Sequence, residues 1–157
     1  MTSLSVRLAT LDDLAAIAAL FDAYRQFYEQ PADAALALDF IGCRMRNHES
    51  VILVAEPEDA PRTGALAGFC QLYPGFCSVI AQPIYTLYDL YVAPASRKGG
   101  AGRALMQAAY AHAKQHGFAR LDLTTARTNH TAQALYESLG WMRDDVFLAY
   151  NKAVSTA

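Results

Sequence analysis

The chain has 157 residues, 54% of them hydrophobic and 18% charged, with a formal net charge of −2. That length suits one domain, residues 1–157, around a single core, and the charge excludes a nucleic-acid binder, which needs a basic excess to neutralise phosphates. No apolar run reaches the length of a membrane span. With no leader pattern at the N-terminus, the three cysteines (Cys43, Cys70, Cys77), which lack CxxC or Cys/His spacing, read as reduced thiols of a cytoplasmic protein.

In chain order, Val6–Ala9 is a short first strand. Thr10 then caps a helix whose Leu11, Leu14, Ile17, Ala18 and Phe21 recur at helical spacing, with Asp13 placed as the return half of a capping box. A second aromatic piece, Tyr24–Tyr28, runs to Pro31, and Asp33 caps a helix over Ala34–Asn47. Ser50–Ala55 is a buried β-branched strand, Glu56–Gly64 an exposed acidic and proline-containing loop, and Ala65–Tyr73 the returning strand. Pro74–Pro83 reads as irregular and Ile84–Val92 as the fourth strand. Helix Arg103–His116 closes at Gly117, Arg120–Thr124 is a fifth strand, and Thr128 or Asn129 opens a helix ending at Gly140. Val146–Lys152 reads as a last strand and Val154–Ala157 as a short tail. The order βααβββαβαβ describes one α+β domain with a mixed sheet.

The most informative segment is Arg97–Leu105, RKGGAGRAL, between a strand and a helix. A helix N-terminus has N–H groups without intrahelical partners, its macrodipole is positive there, and glycines let a phosphate approach the backbone. Arg97, Lys98 and Arg103 add positive charge. A nucleotide P-loop fails because no Lys–Ser/Thr pair follows the glycines, and a dinucleotide fingerprint fails because Leu105 stands where its third glycine is needed.

Arg97-x-x-Gly100-x-Gly102 resembles the pyrophosphate motif of the GCN5-related N-acetyltransferases (GNAT). A second stretch, NHTAQALYESLGW, places Asn129, Ala132, Leu135, Tyr136, Gly140 and Trp141 at the positions of that family's second coenzyme A motif. The segments YRQFYEQP, LYPGF and LYDLYV look closest to the small histone/polyamine acetyltransferases and their bacterial relatives.

The resemblance implies an α+β domain with a mixed sheet splayed between strands 4 and 5 and helices on both faces. It implies acetyl-CoA as cosubstrate, no metal, a small-molecule or protein amine as acceptor, and a homodimer. Backbone N–H groups of Leu90 and Val92 would meet the pantetheine amides. Those of Arg97, Lys98, Gly99, Gly100, Ala101, Gly102 and Arg103 would meet the pyrophosphate, and one at Leu90 or Tyr91 the thioester carbonyl. Asn129 and Ala132 would border the pantetheine. Tyr136 is the expected general acid, or else a packing tyrosine. Where polyamine-acetylating relatives carry a glutamate on strand 4, this chain has Tyr88. Asp89 follows and either acts as base, directly or through water, or hydrogen-bonds a bulged strand. Tyr24, Phe27, Tyr28 and Glu29, with Phe76, Tyr85 and Asp89, are the expected acceptor wall. The alternatives are a non-catalytic acyl-CoA-binding or regulatory module and an aminoglycoside-type acetyltransferase.

Overall fold

The structure, a computed structural model, describes residues 3–59 and 64–155. It falls into two compact units, Met1–Thr124 and Thr125–Ala157. Residues 60–63 of the expected acidic loop and the last two residues of the expected tail lie outside the described part.

The first unit is a five-stranded sheet in the order β1-β2-β3-β4-β5. Its strands are β1 (Leu4–Leu8), β2 (Val51–Pro57), β3 (Gly68–Cys77), β4 (Gln82–Val92) and β5 (Leu121–Asp122). The first four pair antiparallel and β5 joins β4 in parallel, so the sheet is mixed. Three helices accompany it: α1 (Leu14–Phe27), α2 (Ala34–Arg46) and α3 (Ala101–Gln115).

Strand alternation divides the core between two faces. The cross-strand row Val54, Phe69 and Tyr91 packs with Ile17, Ala18 and Phe21 of α1 and Ala37 and Ile41 of α2. On the opposite face lie Gly68 and Cys70, and a Cβ built on Gly68 would stand 3.3 Å from Leu105 of α3. Leu105, Met106, Ala109 and Ala113 give α3 one buried stripe. Helices therefore cover both faces.

Local signals set the helix starts. The Asp33 side chain accepts the Leu36 N–H at 3.0 Å and caps α2. The Thr10 N–H donates to the Asp13 carboxylate at 2.8 Å before α1, after a single 3₁₀ turn, Leu11–Asp13. The aromatic piece Tyr24–Tyr28 is no separate element, because α1 continues through it to Phe27.

Two stretches differ from the sequence reading. Pro74–Pro83, expected to be irregular, belongs to a long β3–β4 hairpin turning at residues 78–81. Both prolines are tolerated because each sits where an N–H is not needed. Pro74 lies beyond Leu72, the last β3 residue paired with β2. Pro83 shares the edge of Tyr85, whose N–H donates to the Arg120 carbonyl at 3.0 Å, away from β3. Glu56, expected in an exposed loop, is a β2 residue with 4% exposure.

Arg7 explains that burial. Its Nε donates to Glu56 Oε1 at 2.7 Å, and its two terminal nitrogens reach both Asp13 oxygens at 2.8 and 2.9 Å. The Arg7 hydrogen bonds hold the Asp13 carboxyl below its ordinary range, so their contribution is present above the unfolded-state carboxylate pKa and fades as pH falls. Arg7→Met takes the guanidinium from a buried carboxylate and is expected to cost about 1–3 kcal/mol at neutral pH. Urea unfolding as a function of pH checks it: the deficit shrinks on acidification, and an equal deficit at all pH values contradicts the assignment.

The second unit contains α4 (His130–Ser138) and, among the described residues, no strand. The expected strand Val146–Lys152 is therefore corrected: residues 141–155 have no regular structure. Alternating apolar residues meet the side-chain requirement of a strand, but a strand also needs a hydrogen-bonded neighbour.

Candidate active site

The β4 edge supplies the first component. Its pairing with β5 stops after Tyr85↔Leu121 and Thr86↔Asp122, so among the described residues β4 runs on from Leu87 to Val92 without a strand partner on that side. The sheet is splayed there. The Ala93 N–H donates to Ala67 on the β3 side at 2.8 Å, and alternation turns the N–H groups of Leu90 and Val92 to the open edge. Tyr91 faces the other way, with its ring in the α1–α2 core. The edge can accept an extended, amide-bearing chain in the manner of an added strand.

The glycine segment leads from the end of that strand into α3. Arg97 folds back on β4, its Nε donating to the Val92 carbonyl at 3.2 Å and its guanidinium lying 5.6 Å from the centre of the Tyr91 ring. Lys98 and Gly100 both have left-handed backbone, with φ of 66° and 85°. Gly100 is the N-cap of α3 and carries no side chain to satisfy the first N–H groups. A Cβ on Gly100 would meet nothing within 4 Å, and one on Gly99 only the Ser96 carbonyl at 3.3 Å. The helix start is thus uncapped and open, with the exposed Arg103 side chain one turn in, and these features fit a pyrophosphate. Gly100→Val strains the left-handed position by about 1–2 kcal/mol and fills the cradle. The expected result is a large loss of affinity for a pyrophosphate-bearing ligand, with coenzyme A as the probe, and a small drop in Tm, read by titration and scanning calorimetry.

The third component is a buried carboxylate. β4 carries a bulge opposite Gln71 and Leu72: Gln71 pairs with Asp89, Leu72 with Leu87, and Tyr88 is the extra residue. The Tyr88 side chain is 65% exposed, whereas Asp89 is 3% exposed. The Asp89 carboxylate accepts from Gln71 Nε2, and the Ser50 hydroxyl donates to Gln71 Oε1 at 2.7 Å. The Tyr24 phenol, from α1, lies against the Asp89 carboxylate and the Tyr88 carbonyl, 3.1 Å from the latter. Burial pushes the Asp89 carboxyl above its ordinary range, against the opposing pull of the Gln71 and Tyr24 hydrogen bonds. Burial likewise raises the Tyr24 phenol, so it stays protonated, and pushes Tyr73 up to about 12. A buried carboxylate whose pKa is shifted upward, at a strand bulge, is a candidate for proton transfer.

The expected acceptor wall is gathered only in part. Tyr24 and Tyr28 meet edge-on at 5.1 Å, Phe27 and Tyr28 at 5.2 Å, and Tyr24 and Tyr91 at 6.4 Å. Glu29 follows with φ of 63° and is exposed. Phe76 stands toward the far end of the β3–β4 hairpin, 82% exposed. Tyr85 is not brought to this group: it stacks on Phe118 at 3.7 Å and points its hydroxyl at His112 of α3, 3.4 Å away. Gln71 and Ser50 were not among the expected residues. The signal was a single amide inside the apolar run GFCQLY, since a buried polar residue needs a partner.

In the second unit, Asn129 Oδ1 accepts the Ala132 N–H at 3.3 Å and caps α4. Ala132, Leu135 and Tyr136 are half-buried, and the Tyr136 ring lies 6.2 Å from that of Trp141. Gly140, with φ of 86°, ends the helix, and the Trp141 N–H donates to the Tyr136 carbonyl at 3.1 Å. Among the described residues no group of three or more His, Cys, Asp or Glu side chains could hold a metal, and no helix is long and apolar enough to cross a membrane.

The family model described as "Acetyltransferase (GNAT) family" matches residues 16–141. An uncharacterized N-acetyltransferase of Bacillus subtilis (strain 168) is 45% identical over 147 residues, covering 94% of this chain and 95% of its own. A D-amino-acid N-acetyltransferase of Saccharomyces cerevisiae is 30% identical over 89 residues, covering 57% of this chain and 55% of its own. The crystal structure of a probable acetyltransferase superposes with a TM-score of 0.88 at 34% identity, covering 98% of this chain and 99% of its own.

Proposed function

The chain belongs to the GNAT family of acetyltransferases, and from that premise we propose that it moves an acetyl group from acetyl-CoA directly onto a primary amine of a small molecule, a protein lysine or a protein N-terminus. The observation that carries the reading is the open β4 edge running into the uncapped glycine cradle of α3. Bound acetyl-CoA supplies an activated thioester carbonyl.

Each remaining task falls to a group of this chain. The Leu90 and Val92 N–H groups hold the pantetheine amides, and the N–H groups of residues 97–103 hold the pyrophosphate, aided by Arg97, Lys98 and Arg103. Of the two expected donors to the thioester carbonyl, Leu90 is the one whose N–H alternation turns to the open edge, since that of Tyr91 turns to β3. An aliphatic amine arrives as an ammonium, and the rings of Tyr24, Phe27 and Tyr28 with Glu29 offer it cation–π faces and a carboxylate. Asp89 receives the proton the amine must lose. Its burial behind Tyr24 supports transfer through water or the phenol rather than by direct contact. Tyr136 gives its phenolic proton to the departing thiolate, a role that rests on its position in the second motif.

A thioester-release assay over polyamines, L- and D-amino acids, peptides and aminoglycosides tests the reading, with coenzyme A binding followed separately by calorimetry. Turnover on one class identifies the acceptor. Tight coenzyme A binding with no turnover on any amine would leave a binding module and sink the enzyme reading.

A further inference from the structure

We propose that Gln71, clamped by Ser50, is the positioning residue that orients the Asp89 carboxylate for proton transfer. The inference rests on the reading of Asp89 as the proton acceptor and adds to it the device that holds that group.

Gln71 is 0% exposed and sits on β3 directly across from Asp89, at the point where the bulge begins. Both ends of its amide are committed. An ionised carboxylate only accepts, so the amide must turn its NH₂ toward Asp89. The Ser50 hydroxyl, donating to Oε1 at 2.7 Å, favours that same orientation from the other end. The chain Ser50–Gln71–Asp89 thus crosses from the start of β2 through β3 to β4, and no buried side-chain N or O among the described residues lacks a partner. A half-buried hydroxyl is spent on fixing the direction of a fully buried amide, which core packing alone does not require.

The other titratable groups near enough to feel the Asp89 charge are Tyr24 on α1, Tyr73 on β3, Cys70 through the sheet from its opposite face, and the Tyr88 phenol beside it on β4. Burial raises Tyr24, and pushes Cys70 and Tyr73 up to about 12, so these three stay neutral at neutral pH. Gln71 is the side-chain donor bonded to the anion, and the Tyr24 phenol, which donates to the Tyr88 carbonyl at 3.1 Å, favours it from the α1 side. Removing the Gln71 donor therefore raises the pH at which Asp89 titrates, and the acid limb of the activity profile moves with it.

The test compares Gln71→Met, which keeps the volume and loses the amide, with Ser50→Ala, which leaves the core intact and frees the amide to rotate. The Asp89 carboxyl is followed by ¹³C NMR titration and the reaction by kcat/KM against pH. Expected is an upward shift of the Asp89 midpoint of about one pH unit in Gln71→Met, a smaller shift in the same direction in Ser50→Ala, and an acid limb displaced in parallel. An unmoved NMR midpoint in the folded variants overturns the Gln71 assignment alone. An Asp89→Asn enzyme with the wild-type rate overturns the underlying reading of Asp89, and the role of Gln71 in the reaction with it.

Discussion

Asp89→Asn is expected to lower kcat by roughly 10²–10⁴-fold, the range of a lost general base, without loss of thermal stability at neutral pH. The two halves have different physical sources. The substitution removes the proton-accepting oxygen, so the amine is no longer relieved of its proton. The fold accommodates it because the Gln71 amide can reverse, offering Oε1 to the new Asn amide and Nε2 to the Ser50 hydroxyl, which accepts as readily as it donates.

The pH dependence follows from the direction of the Asp89 shift. Burial raises its folded-state pKa above the unfolded value near 3.8, so its favourable contribution is complete below the unfolded value and is lost as pH rises through the folded one. Asn carries no charge at any pH. The variant is therefore at least as stable as wild type at neutral pH, and any advantage disappears on acidification. Thermal melts across pH together with steady-state rates measure both quantities; a stable variant with an undiminished rate would remove Asp89 from the mechanism.

Tyr136→Phe is expected to leave acetyl-CoA binding intact while kcat falls by about 100-fold or more. Only the phenolic oxygen is deleted. The ring that lies beside Trp141 is kept, and so are the Asn129 cap and the Gly140 terminus of α4. Loss confined to kcat marks an interaction made in the transition state rather than in binding. A thiol leaving group of lower pKa in the acyl donor should recover part of the rate, since it needs less help from an acid. If kcat changes by only a few fold, Tyr136 is a packing residue.

The features legible in the sequence are those whose cause lies within a few residues. Asp33 and Asn129 cap helices because a short side chain reaches N–H groups two or three positions on. The glycine cradle is legible because a left-handed backbone at Gly100 and an uncapped α3 are local properties of RKGGAGRAL. The aromatic run Tyr24–Tyr28 looks like a separate piece by composition, yet nothing in it stops the helical spacing before Phe27.

What the tertiary structure decided depends on partners far apart in the chain. The hairpin through Pro74 and Pro83 was hidden because proline forbids a strand only where a neighbour needs its N–H, and neighbours are a matter of sheet order. Val146–Lys152 has the alternation of a strand but forms none, since a strand also needs a hydrogen-bonded partner that alternation does not supply. Glu56 is buried because Arg7, 49 residues away, reaches it, and Asp89 is held by Gln71, 18 residues away, because the two pair across β3 and β4. From residue types alone, Tyr88 stands at the position of the relatives' glutamate and Asp89 follows as the candidate base, with no sign of which side chain is buried. One extra residue in β4 turned Tyr88 out to solvent and Asp89 into the protein, because side chains alternate along a strand and a bulge shifts that alternation by one.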